Sequence, residues 1–162
     1  MDVNVDKKKL YDALSHFQGV VEKRNTIPIL SNLKLKALEG KLEITATDLA
    51  LEISESIFAN VNKSGELTIP SQLLFDIVRK APEKSKIEMR EESESGQVFI
   101  FFGDSKFSLP YLPTSDFPEM QEENLENNFE LEAKKFRYLI NDCKFSMGLD
   151  ESRLYLNGIY LH

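Results

Sequence analysis

The chain has 162 residues and is 41% hydrophobic, enough for a buried core and for one full domain with part of a second. A single cysteine excludes an internal disulfide framework, and no apolar run near the start is long enough for a signal or membrane helix, so a cytoplasmic protein is expected. Taken as a total, the net charge of −7 argues against a nucleic-acid partner, because phosphate binding relies on Lys and Arg.

Residues 2–5 alternate polar and apolar as a short strand, and Asp6 stands as the N-cap of a helix carrying Leu10, Leu14, Phe17 and Val21 at helical spacing. Residues 33–38 and 42–47 alternate with period two around a hairpin turn at Glu39-Gly40, and 49–57 read as a further strand. A second copy of the pattern begins at Gly65. A strand at 66–69 leads to Ser71 as the expected helix cap; Leu74, Ile77, Val78 and Ala81 share one face, and Pro82 stops the helix. Strands at 86–90, 98–102 and 106–109 follow, separated by turns at Glu94-Ser95-Gly96 and Gly103-Asp104.

Residues 116–128 hold Pro118 and four acidic residues after Asp116, with few core candidates, which reads as a boundary. The expected division is a domain at 1–118, an acidic linker at 119–128 and the beginning of a second domain at 129–162. The second domain should start with a strand at 129–131, then a helix with Phe136, Leu139, Ile140 and Cys143 inward, then a strand at 153–161. Residues 155–161 echo 30–35, so the unit of strand, helix and hairpin occurs twice and starts a third time. The fold class is α+β, two βαβββ copies with two helices packed on antiparallel sheets and an incomplete second domain. Repeated units of this kind usually act through the assembled array.

The charge is unevenly spread. Residues 7–24, 71–80 and 133–144, the helical segments, hold 11 Lys and Arg against 4 acidic residues, leaving 9 basic and 23 acidic residues elsewhere. Basic helices with acidic strands and loops suit a protein that attracts a polyanion on one side and repels it on the other.

Catalytic signatures are sparse. The isolated glycines make neither a dinucleotide fingerprint nor a P-loop, and His16 and His162 lack partners at metal-ligand spacing, so no cofactor and no metal site are expected. Cys143 reads as a core residue. The aromatics Phe99, Phe101 and Phe107 read as core and sheet packing, since no Lys or Arg is interleaved at 98–102. Two other classes stay open: a metal-dependent phosphoryl-transfer enzyme using Asp48, Glu52 or the Glu91 cluster, and a protein-docking module.

The stretch Arg24-Asn25-Thr26-Ile27-Pro28-Ile29-Leu30-Ser31-Asn32-Leu33 closely resembles the N-terminal domain of the bacterial DNA polymerase III β sliding clamp. So do Thr45-Ala46-Thr47-Asp48-Leu49, Phe75-Asp76-Ile77, Phe107-Ser108-Leu109, Leu112-Pro113 and Asp116-Phe117-Pro118, and, further on, Phe145-Ser146-Met147 and Arg153-Leu154-Tyr155-Leu156-Asn157-Gly158. The resemblance implies a DNA-clamp fold, three similar domains per subunit and a head-to-tail homodimeric ring with helices lining the hole. It also implies a non-catalytic processivity factor that encircles duplex DNA without reading sequence and tethers the replicative polymerase. The polymerase and the clamp loader would bind through short linear motifs, with no membrane role. On that pattern the chain ends inside its second domain, so it is expected to be a fragment.

Carried over by position, Arg24 matches a DNA-contacting arginine and Arg79 is a second inner-helix candidate. Lys23, Lys80, Lys134, Lys135 and Arg137 join them as basic residues expected to face DNA. Asp150 stands where some relatives have a polar DNA-contacting residue, which puts that contact in doubt. Lys106, Phe107 and Leu109 resemble the edge that pairs with the other subunit. Arg153, Tyr155 and Leu156 match the near rim of the pocket for partner motifs.

Overall fold

Strand β1 (Asp2–Asp6) runs directly into helix α1 (Lys7–Phe17), and Asp6 makes the change of direction possible. Its Oδ1 accepts from the amides of Lys8 at 3.0 Å and Lys9 at 3.2 Å, satisfying donors that the first helical turn leaves open. A computed structural model describes residues 1–21, 27–92, 94–118, 129–150 and 152–162 of the chain. It divides into two compact units, 1–120 and 121–162. The expected linker at 119–128 lies outside the described residues.

Strands β2 (Asn32–Leu38) and β3 (Lys41–Thr47) are joined by Glu39 and Gly40, with φ of 51° and 77°. Positive φ at both central residues is what a two-residue hairpin of right-handed twist requires. Strand β4 (Glu52–Phe58) begins later than the expected residue 49, because Leu49 is left-handed at φ 77° and Asp48 Oδ1 takes the amides of Ala50 and Leu51. Those bonds make a turn where periodicity suggests a strand.

Strand β5 (Asn60–Lys63) has no counterpart among the expected elements, and β6 (Gly65–Pro70) leads into α2 (Ser71–Lys80). Pro70, not Ser71, occupies the N-cap of α2, and Ser71 Oγ is buried without a hydrogen-bond partner. The expected cap therefore fails, because the serine is already the first helical residue. Strands β7 (Lys86–Glu92), β8 (Gln97–Phe102) and β9 (Ser105–Pro110) complete the unit.

The two copies are interleaved. One sheet has the order β5-β1-β7-β8-β9 and the other β4-β3-β2-β6, all neighbours antiparallel. Each copy thus lends its first strand to the sheet of the other: β1 pairs with β7, and β6 pairs with β2. Val3, Val5, Ile87, Met89, Val98 and Ile100 from one sheet meet Leu33, Leu35, Leu42, Ile44, Leu67 and Ile69 from the other in a single core. Leu10, Leu14 and Phe17 of α1 and Leu74 and Val78 of α2 enter that same core. Phe117 is buried against Ile29 and Leu30, so this part of the expected boundary is anchored to the first unit.

In the second unit, α3 (Ala133–Cys143) forms as expected but buries no residue. Residues 129–131 and 153–161 are not strands; the latter contain a short 3-10 turn at Leu154–Leu156. A strand needs a ladder partner, and the described residues of this unit provide none. The echo of 30–35 in 155–161 therefore does not extend to structure. Cys143, read as core, is exposed. Phe129, Leu131, Phe136 and Leu139 instead border an apolar hollow of about 480 Å³ with Leu161 and His162.

Candidate nucleic-acid interface

The two helices of the first unit meet through an aromatic pair. Tyr11 of α1 and Phe75 of α2 stack with ring centroids 5.4 Å apart and planes 22° from parallel. Both rings carry a cation one helical turn away on their own helix. Lys7 Nζ lies 4.9 Å from the Tyr11 centroid, and Arg79 Cζ lies 5.9 Å from that of Phe75. The result is a ladder of cation, ring, ring and cation that crosses from one helix to the other.

The negative faces of the rings hold these cations without neutralising them. Arg79 is also steadied by Asp76, whose Oδ1 accepts from it at 2.9 Å. Lys8 reaches Asp12 at 3.1 Å, one turn along α1. Lys80 stands exposed on α2, whereas Lys9 of α1 lies over the Phe58 ring, 5.7 Å from its centroid. Basic groups at the N-terminal turn of α1 and the C-terminal turn of α2 thus surround one seam, with their charged ends in water. Lys7 is absent from the DNA-facing candidates that the sequence offers. Its signal is equal spacing, Lys7 with Tyr11 and Phe75 with Arg79, but only the helix pairing brings the two together.

Lys23 and Arg24 lie outside the described residues. In the second unit Lys134, Lys135 and Arg137 are all exposed on α3. Asp150 serves its own turn: its Oδ1 accepts from the Ser152 amide at 2.9 Å and hydroxyl at 2.6 Å, and its Oδ2 from Arg153 Nε at 3.1 Å. The Ser152 hydroxyl and amide, helped by Arg153, hold its carboxyl below the usual range. Arg153 is therefore engaged locally, while Tyr155 and Leu156 present exposed side chains.

Strand β9 is the last of its sheet, so one side of its backbone is unpaired within the sheet order. Lys106 is exposed there, Phe107 stacks on Phe102 at 5.4 Å, and Leu109 is buried in the core. Lys106 also corrects the expectation for the aromatics. Phe99 and Phe101 lie on the outward side of β8, not in the core, and Lys106 Nζ sits 4.1 Å from the Phe99 centroid while Arg90 lies 5.8 Å from that of Phe101. The interleaved cations absent from 98–102 come from neighbouring strands.

Two of the carboxylates considered for metal chemistry, Asp48 and Glu91, have structural tasks. Amides of Leu51 and Ala50 hold the Asp48 carboxyl below its ordinary range, as expected for the anchor of a turn. Glu91 accepts from the Met1 ammonium and, at 3.1 Å, from the Tyr111 hydroxyl.

A family model for the DNA polymerase III beta subunit, N-terminal domain, matches residues 1–121. The beta sliding clamp of Caulobacter vibrioides is 38% identical over 162 residues, covering 100% of this chain and 44% of that protein. That of Escherichia coli K12 is 34% identical, covering 98% and 43%. Among solved structures, the sliding clamp of Bartonella birtlesii bound to griselimycin superposes with a TM-score of 0.95 at 40% identity, covering 100% of this chain and 43% of that one. The Caulobacter crescentus clamp, with polyethylene glycol bound to its putative beta-motif tethering region, gives 0.95 at 38% identity. The chain spans less than half the length of these relatives.

Proposed function

Because the chain belongs to the DNA polymerase III beta-subunit family, the sliding clamps, we propose that it supplies part of a ring that encircles duplex DNA and keeps the replicative polymerase on its template. The observation that carries this reading is the seam of α1 and α2, where Lys7 and Arg79 are held by stacked rings and flanked by Lys8 and Lys80. Ammonium and guanidinium groups on the outside of rigid helices bind phosphates without contacting base edges. Such contacts are exchangeable, which is what sliding requires.

Lys23 and Arg24, which lie outside the described residues, are assigned to DNA contact as well, and Lys134, Lys135 and Arg137 are assigned the same task on α3. The edge of β9, with Lys106 and Phe107 outside and Leu109 anchoring it from the core, joins a second subunit in a homodimeric ring. Arg153, Tyr155 and Leu156 form one rim of the site for short motifs of the polymerase and clamp loader. The protein works in the cytoplasm and performs no chemistry of its own.

The test uses the full-length subunit loaded on nicked circular duplex. Arg79→Ala with Lys7→Ala should shorten retention and reduce the slope of log affinity against log salt by about 1 for each phosphate that is no longer neutralised. Unchanged retention and slope would remove the seam from the DNA surface.

A further inference from the structure

We propose that the groove beside Phe58 is a binding site for single-stranded nucleic acid, separate from the helix seam assigned to duplex DNA. Phe58 ends β4 at the point where the chain leaves one sheet for the other; Ala59 donates its amide to the Gly40 carbonyl at 2.9 Å, fixing the corner. Its neighbour Ile57 packs against the core, while the Phe58 ring is 74% exposed. Scattered exposed apolar residues are ordinary, so exposure alone assigns nothing. The surroundings of this ring do.

An open groove of about 590 Å³ runs past Phe58, bordered by Asn4, Asp6, Gly40, Asn60 and Lys86. Lys9 Nζ lies 5.7 Å from the ring centroid, and Lys41 stands opposite Phe58 in the β3–β4 ladder. Three lysines thus surround this corner: Lys9 over the ring, Lys41 opposite it in the ladder and Lys86 at the border of the groove. None of the three makes an ion pair among the described residues. Lys41 also borders a neighbouring hollow with Glu39 and Glu43. Asp6, the one acidic residue bordering the groove, has its Oδ1 engaged as the cap of α1.

The chemistry fits a nucleobase on the Phe58 face with adjoining phosphates on the lysines, the Asn4 and Asn60 amides being within the groove for base edges. An acidic peptide shares the charge but anchors through apolar side chains in enclosed pockets, and this groove is open, with a single ring. A duplex keeps its bases stacked inside and offers no face to Phe58.

The experiment measures fluorescence anisotropy of labelled oligothymidylate, roughly 10 nucleotides long, titrated with this chain. Phe58→Ala should weaken binding about tenfold, and Phe58→Trp should retain it. Lys9→Ala and Lys86→Ala should each flatten the salt slope by about 0.7. Circular dichroism of each variant, matched to the wild type, verifies folding. Binding unaffected by Phe58→Ala, absence of binding by the wild type, or equal displacement by polyglutamate of matched charge would each overturn the proposal. Arg79→Ala separates the two surfaces: it should shorten duplex retention of the full-length ring and leave the effect of Phe58→Ala on oligothymidylate binding intact.

Discussion

Helices α1 and α3 are both 11 residues long, and each sets an apolar stripe against a lysine-bearing face. In α1, Leu10, Leu14 and Phe17 are completely buried, whereas α3 buries nothing. The difference lies beneath the helices. Two sheets close under α1, while the described part of the second unit has no sheet at all. Amphipathicity thus states that a helix needs a partner; the partner decides whether the apolar area leaves water and stabilises anything.

The largest expected effect follows from this contrast. Phe17→Ala should cost about 3–5 kcal/mol in urea denaturation, the usual loss for a large aromatic removed from a packed core. Phe136→Ala on α3, a side chain 38% exposed, should cost less than about 1 kcal/mol by the same measurement. A comparable loss at both positions would mean that the stripe of α3 is covered in solution.

A smaller effect separates the helix starts. Asp6→Ala should destabilise the first unit by about 1 kcal/mol, because the open amides of Lys8 and Lys9 lose their acceptor. Helix α3 begins at Glu132 with no side-chain cap, so Glu132→Asp should raise its helicity by circular dichroism. No gain there would show that α3 is limited by packing and not by its first turn.

The smallest concerns Asp48, whose folded pKa is depressed by amide hydrogen bonds. Its contribution is therefore present above the ordinary carboxylate range and is lost as pH falls through the lowered folded value. Hydrogen exchange at Ala50 and Leu51, corrected for intrinsic rates, should lose protection over that acidic window, and Asp48→Asn should abolish the dependence. A pH dependence that survives Asp48→Asn would assign the turn to another group.

Much of the first unit was legible in the chain. Val3 and Val5, Leu42 and Ile44, and Val98 and Ile100 mark their strands by alternation, and Asp6 and Glu39-Gly40 mark a cap and a turn by side-chain chemistry. Misreadings arose where a local bond outweighed periodicity, as at Asp48, or where a pattern lacked its partner, as at 153–161. The candidate site was legible as charge on helices. Its construction was not: Lys7 reaches Arg79 only through Tyr11 and Phe75, and Lys106 reaches Phe99 only across the pairing of β8 with β9.

By itself the sequence determined the repeated unit, the basic helices and the family, because periodicity, capping and residue order are carried by neighbours along the chain. Tertiary structure alone decided that β1 and β6 cross into each other's sheets, that Leu109 turns into the core and that Lys9 lies over the Phe58 ring. Those outcomes depend on which strands share a ladder and where the chain changes sheets, and residues far apart in sequence settle both.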